Sequence, residues 1–216
     1  EVRDTPVEAL DAVLRAAWNY RSAWDAVAGP ERAARLEKTA DLMEENFAEL
    51  MALIIREAGK TAQDAIAEIR EAVDFLRYYA GQARRHFDTP QRLPGPTGEV
   101  NELSLHGRGV FVCISPWNFP LAIFTGQVSA ALAAGNSVLA KPAAPTTILG
   151  FRAVQLLHEA GVPTDVLHFL PGKGLPQARL HVHPLHRPLV HALGEELVAV
   201  AAAALGRIHG HVGMLE

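Results

Sequence analysis

Apolar residues return every three or four positions through the first third of the chain. Leu36, Ala40, Met43, Phe47, Leu50 and Ile54 do so within Pro30–Gly59. This spacing predicts a helix with one apolar face, opened by Pro30 at its first position and closed by Gly59. A second series, Ile66, Ile69, Val73, Leu76 and Tyr79, predicts a further helix. Thr61 and Asp64 ahead of it resemble a capping box, with Asp where Glu or Gln is usual. The many carboxylates of these helices are assigned by the pattern to a solvated face.

Beyond a Pro- and Gly-rich connector, Asp88–Glu99, the pattern changes. The stretch "VNELSLHGRGVFVCIS" reads as two extended runs joined at His106–Gly109, which predicts a hairpin. Short apolar runs then alternate with helical ones: "GVFVCIS", "LAIFTGQVSAALAAG", "NSVLAK", "TTILGFRAVQLLHEAG" and "DVLHFLPG". Strand, helix, strand, helix, strand predicts an α/β fold with a parallel sheet and right-handed crossovers. After Gly174 the sequence becomes rich in Pro, His, Arg and Leu, then in Ala and Val. A helix is predicted there from about Leu193 to Ile208, with no strand to follow it. Four regions result: a helical region (1–87), a connector with the hairpin (88–109), an α/β region (110–174) and a tail (175–216).

Composition narrows the partners. A net charge of −4 gives no electrostatic case for nucleic acid or for an anionic membrane. The single cysteine makes no internal disulfide, which points to a reducing, cytoplasmic setting. The first ten residues, "EVRDTPVEAL", lack the apolar core of a signal peptide. No uncharged apolar run reaches the roughly 18 residues that span a bilayer.

Ligands of open parallel sheets bind at the carboxyl ends of the strands. Three such ends are predicted on one edge: Ser115–Phe119, Lys141–Pro145 and Pro171–Gly174. No G-x-G-x-x-G follows the first strand, and Gly172-Lys173-Gly174 supplies only a short G-x-G. Cys113 lies inside an apolar run, where a thiol has a raised pKa and packs as a small hydrophobe, so it is not the expected nucleophile. Asn118 lies past that strand. Its amide suits either a plain turn or donation to a developing oxyanion. Lys141 suits a solvated strand end, or a contact to ribose hydroxyls or phosphate. In the tail, His181, His183, His186 and His191 are interrupted by Pro184 and Pro188, and no metal site is expected.

These loops have a wider context. "SPWNFPLAIFTGQVSAALAAGNSVLAKPAAPT", followed by "PGKG", resembles the aldehyde dehydrogenase superfamily in the order and spacing of its motifs. "REAGKT", "EAVDFLRYYA", "LPGPTGE" and "HGRGVFVCISPWNFPLAIFTGQV" are similar to its L-glutamate γ-semialdehyde (1-pyrroline-5-carboxylate) dehydrogenase group, found in bifunctional proline utilization A. The similarity runs from about Val7 to Gly174. It implies the first half of a Rossmann-like NAD-binding domain, and NAD-dependent oxidation of an aldehyde to a carboxylate in proline catabolism. Asn118 would be the oxyanion-hole amide and Phe119 would line the aldehyde passage. Ile114, Ser115, Pro116 and Trp117 would contact the nicotinamide half, Lys141 the adenosine ribose, and Gly172 and Gly174 the approach to the adenine and pyrophosphate. The hairpin would belong to a flap through which such enzymes form homo-oligomers.

The departures are equally specific. Ala144 stands where the family has Glu. After Gly174 there is no F-T-G-S turn, no E-L-G-G-K segment with the general-base glutamate, and no segment with a nucleophilic cysteine. Glu195 and Glu196 in "LGEELV" lack the glycine pair and lysine that should follow. Leu175–His191 has the composition that a GC-rich coding sequence gives in a shifted frame. The expectation is therefore an N-terminal fragment, truncated before the catalytic domain, that is inactive alone and binds NAD weakly. The alternative is a non-catalytic binding or oligomerisation module.

Overall fold

A computed structural model describes residues 2–172, 189–192 and 207–214. The first part is helical, with α1 (Leu10–Asp25), α2 (Gly29–Glu45), α3 (Phe47–Ala58) and α4 (Ala62–His86). The single helix expected over Pro30–Gly59 is thus two helices. They part at Asn46, whose backbone leaves the helical region (φ −96°, ψ 22°). Its side-chain Nδ2 donates to the Leu42 carbonyl at 2.8 Å, competing with the helical ladder. The apolar stripe continues through the break: Leu36, Ala40, Met43, Leu50 and Ile54 are buried and Phe47 is half-buried. Gly59 ends α3 in the left-handed conformation (φ 66°), as its position predicts. Thr61 caps α4 by accepting from the Asp64 N–H at 3.2 Å. The Asp64 carboxylate closes on the Thr61 hydroxyl at 2.7 Å, which departs from the usual reciprocal capping bond.

Strands β1 (Gln91–Leu93) and β2 (Glu99–His106) pair antiparallel, with Gln91 opposite Leu103 and Leu93 opposite Asn101. The expected hairpin at His106–Gly109 is not formed, because β3 (Val110–Ile114) belongs to a different sheet. The reason lies in the partners of that segment. Asp25 on α1 accepts from the Gly107 N–H at 2.6 Å and pairs with the His106 ring at 3.2 Å. Asn136 Oδ1 accepts from the Arg108 and Gly109 N–H groups at 2.6 and 3.0 Å. These bonds pull the chain from one sheet to the other, and the hairpin turn falls at residues 94–98, before β2.

The predicted parallel sheet is present. β4 (Ser137–Lys141), β5 (Leu167–Phe169) and β6 (Leu189–Ala192) complete the order β5-β4-β3-β6, with α5 (Ala122–Ala133) and α6 (Thr147–Glu159) as crossovers. All pairs are parallel, Val110 opposite Ser137 and Val138 opposite Leu167. The chain builds outward from β3 to β5, then returns to add β6 on the other side of β3. The switch point of the sheet is therefore between β3 and β6.

The tail corrects a second expectation. Leu189–Ala192 is a strand, and Arg207–Met214 is a further strand, β7, antiparallel to β2. The helix expected from Leu193 therefore does not reach Ile208; residues 193–206 lie outside the described residues. Both strands cover sheet edges whose backbone groups would otherwise lack partners. The alternation of Arg207, His209 and His211 with Ile208, Gly210 and Val212 is a two-residue period that identifies β7.

The sheet has apolar cover on both faces. Phe111, Cys113, Val138 and Ala140 join the core with Leu36, Met43, Ile69, Leu76, Phe124 and Leu157. Val110, Val112, Leu139 and Leu170 pack with Leu10, Leu14 and Ala17 of α1. Successive residues of β3 thus enter opposite clusters, as a pleated strand requires. Two polar side chains fasten α1 and α2 to the end of α5. Trp24 Nε1 donates to the Leu132 carbonyl at 3.0 Å, and Arg32 Nε to the Ala133 carbonyl at 3.1 Å. Arg32 is only 2% exposed; burial pulls its pKa down to about 10, with Asp25 opposing. Among the described residues no helix is long and apolar enough to cross a membrane.

His168 on β5 adds a pH dependence. Burial lowers its pKa below the ordinary 6.5, against the bond to the Asp165 carbonyl and the Asp165 charge, while the neighbouring His158 adds to the lowering. Below pH 6.5 the unfolded chain takes up this proton before the folded one does, so stability falls as pH drops through that value. In urea unfolding, the wild type should lose more stability between pH 7.5 and 5.5 than His168→Gln. Equal losses would contradict this account.

Candidate functional site

Parallel register brings the carboxyl ends of β3, β4 and β5 to one edge. Ile114 lies opposite Lys141, and Ala140 opposite Phe169. The contacts continue past the strands: the Ser115 N–H donates to the Lys141 carbonyl at 3.1 Å, and the Leu170 N–H to the Ala140 carbonyl at 2.8 Å. Lys141 Nζ then donates to the Gly172 carbonyl at 3.1 Å. The lysine is 6% exposed, so it is not a solvated strand end; burial lowers its pKa and Asp4 opposes the shift. Two of the three expected loops are thereby joined through one ammonium. Gly174 lies outside the described residues.

The third loop projects. Trp117, Asn118 and Phe119 are exposed, Ile114 and Pro116 half-buried, and Ser115 buried. Ser115 Oγ makes no hydrogen bond among the described residues. Cys113 lies one strand position before Ile114, enclosed between the sheet and the helices, and burial pushes its thiol pKa up to about 12. A thiol held protonated to that pH does not provide an attacking thiolate.

Carboxylates provide the correction with the widest consequence. The stripe pattern assigns those of the N-terminal helices to solvent, yet Glu68 on α4 is 2% exposed. Its Oε2 accepts from the Leu121 and Ala122 N–H groups at 3.2 and 3.0 Å, at the start of α5. Glu57 on α3 does the same for α6, accepting from the Ile148 and Leu149 N–H groups at 3.0 and 2.7 Å. The positive ends of both crossover helices are thus already held by carboxylates of the chain itself. A pyrophosphate brought to either N-terminus would meet a carboxylate already bonded there. A sequence signal for Glu68 exists: it sits within the buried series Ala65, Ile69, Ala72 and Val73.

Lys60, between the left-handed Gly59 and the Thr61 cap, completes this cluster. Its ammonium lies 2.8 Å from Glu68 Oε1 and 4.2 Å from the centroid of the Phe119 ring. On the β4 side, Gly150 of α6 lets the Lys141-Pro142 loop approach closely, since a Cβ there would stand 2.9 Å from Pro142 Cβ. Ala144, where the resemblance implies a glutamate, is exposed at the start of a short 3-10 turn. Among the described residues no group of three or more His, Cys, Asp or Glu side chains is arranged to hold a metal. His181, His183 and His186 lie outside those residues.

Comparison with protein families matches the aldehyde dehydrogenase family over residues 1–199. The bifunctional protein PutA of Salmonella typhimurium is 50% identical over 172 residues, covering 80% of this chain and 12% of its own length. A crystal structure of Bradyrhizobium japonicum proline utilization A superposes with a TM-score of 0.83 at 51% identity, over 85% of this chain and 19% of that one. A structure of 1-pyrroline-5-carboxylate dehydrogenase from Thermus with bound NAD gives a TM-score of 0.79 at 40% identity, over 84% of this chain and 35% of that one. The chain thus spans a minor part of each relative.

Proposed function

Since the chain belongs to the aldehyde dehydrogenase family, we propose that it forms the cofactor-side wall and the oxyanion donor of an NAD-dependent dehydrogenase acting on L-glutamate γ-semialdehyde. The observation that carries this reading is the bond from Lys141 Nζ to the Gly172 carbonyl, which gathers two strand-end loops beside the loop bearing Asn118. NAD, when bound, supplies the hydride acceptor. The residues present suit its adenosine half, because Lys141 presents a partly desolvated ammonium to hydroxyl acceptors at the sheet edge. The nicotinamide half would lie against Ile114–Trp117, where the buried Ser115 Oγ has hydrogen-bonding capacity to spare.

The chemistry of aldehyde oxidation assigns distinct tasks to the protein. A thiolate attacks the aldehyde carbon, and the carbonyl oxygen becomes an oxyanion that needs a donor. Asn118 Nδ2 provides that donor from an exposed loop, and Phe119 walls the approach. The thiolate is not Cys113, which is the only cysteine in these 216 residues and is buried behind the loop. The nucleophile and the general base would come from outside this sequence.

Two readouts test this reading. Titration with NAD should change Trp117 emission only at millimolar concentrations, and Lys141→Ala should abolish the change, with Trp117→Phe as the background control. The chain mixed with NAD and glutamate γ-semialdehyde should form no NADH. A response that survives Lys141→Ala would overturn the cofactor assignment, and NADH formation lost in Cys113→Ser would restore the thiol as nucleophile.

A further inference from the structure

The loop that carries Asn118 is short and fixed at both ends. On one side the Ser115 N–H is bonded to the Lys141 carbonyl, and on the other the Leu121 N–H is bonded to Glu68. Pro116 and Pro120 lie just inside these anchors and have φ fixed by their rings. Phe119 is restricted as well, because it precedes Pro120, so only Trp117 and Asn118 retain full backbone freedom. Phe119 also has its ring under the Lys60 ammonium. Lys60 is itself held by Glu68 Oε1, while Glu68 Oε2 holds the start of α5. One buried carboxylate therefore fixes the loop twice, through the backbone after it and through the cation over its aromatic residue.

We propose that Glu68 and Lys60 are positioning residues for the Trp117–Phe119 loop, setting the direction in which Asn118 presents its amide. The catalytic meaning of this inference rests on the oxyanion reading of Asn118; its geometry does not. The Lys60 side chain is 16% exposed, and such partial desolvation strengthens a cation's attraction to a ring face. The Leu121 and Ala122 N–H groups lie at the N-cap and first position of α5, where no intrahelical carbonyl is available, so Glu68 is their acceptor.

Amide exchange and 15N relaxation on the whole 216-residue chain test this without cofactor or aldehyde. Glu68→Gln keeps the shape but removes the charge, and exchange at Leu121 and Ala122 should become about tenfold faster. Lys60→Met should lower the heteronuclear NOE of the Trp117 indole and the Phe119 amide, with Leu121 and Ala122 still protected. Lys60→Arg, which keeps a cation for both the ring and the carboxylate, should restore the NOE. Unchanged exchange in Glu68→Gln, or a loop in Lys60→Met as ordered as the wild type, would overturn the proposal. If Glu68→Gln does not fold, the Lys60 pair decides alone. Failure of the NAD titration would instead count against the functional reading and leave these results standing.

Discussion

Arg32→Met is expected to lower the stability of the chain by about 4 kcal/mol, a loss of about 8–16 °C in Tm for a chain of this size. Methionine fills much of the same space and keeps the aliphatic stem, so the loss isolates the guanidinium. That group donates to the Ala133 carbonyl at 3.1 Å, to those of Asp25 and Trp24 at 3.1 and 3.4 Å, and to that of Val27. All four acceptors lie at or just past helix ends; that of Trp24 also accepts from the Val27 N–H at 3.0 Å, so the fork matters most to those of Ala133, Asp25 and Val27. Removing the fork leaves these buried or partly buried acceptors unmet, which costs more than the bonds contributed. Arg32→Lys should recover only a fraction, because a single ammonium does not reproduce a planar fork. Urea unfolding checks both variants; a loss below about 1 kcal/mol for Arg32→Met would show that water reaches these carbonyls freely.

Gly107→Ala should cost about 3 kcal/mol or more, because the added methyl meets backbone. A Cβ at that position stands 2.4 Å from the Gly135 carbonyl oxygen and 2.7 Å from its carbon. Gly135 is not free to retreat. Its φ of 86° is left-handed, and it packs against Asp25, which also holds the Gly107 N–H. The control is Gly81→Ala on the exposed face of α4, where a Cβ meets nothing within 4 Å. That change should stabilise the chain by about 0.5–1 kcal/mol, through helix propensity alone. The same chemical substitution thus acts in opposite directions at two positions. Equal thermal midpoints for the two variants would refute the crossing of backbones at Gly107.

The strand–helix alternation from Val110 to Phe169 was legible because buried parallel strands and their crossovers have different lengths and different apolar periods. Cys113 was readable as structural for the same reason. What escaped is contact between distant segments. Nothing local in "HGRG" says that Asp25 and Asn136 will take its N–H groups, so two extended runs resemble a hairpin. The break at Asn46 is invisible to the pattern because apolar spacing carries across it, while the cause is a side chain bonding to the preceding turn. Glu68 escapes the rule that carboxylates face water, which fails where a helix N-terminus waits inside. The pattern puts Lys141 at the strand end, but its bond to Gly172, thirty-one residues later, has no local signal.

The bonds from Trp24 and Arg32 to the end of α5 join positions 108 and 101 residues apart. During synthesis, α1 and α2 leave the ribosome long before the carbonyls that fasten them exist. At about 5–20 residues per second, the interval is about 5–20 seconds. Until Ala133 emerges, the apolar stripes of α2, α3 and α4 have only one another to pack against. The order of the chain thus makes the helical part a nascent client, open to chaperone binding or to misassociation, before the sheet arrives to close its core.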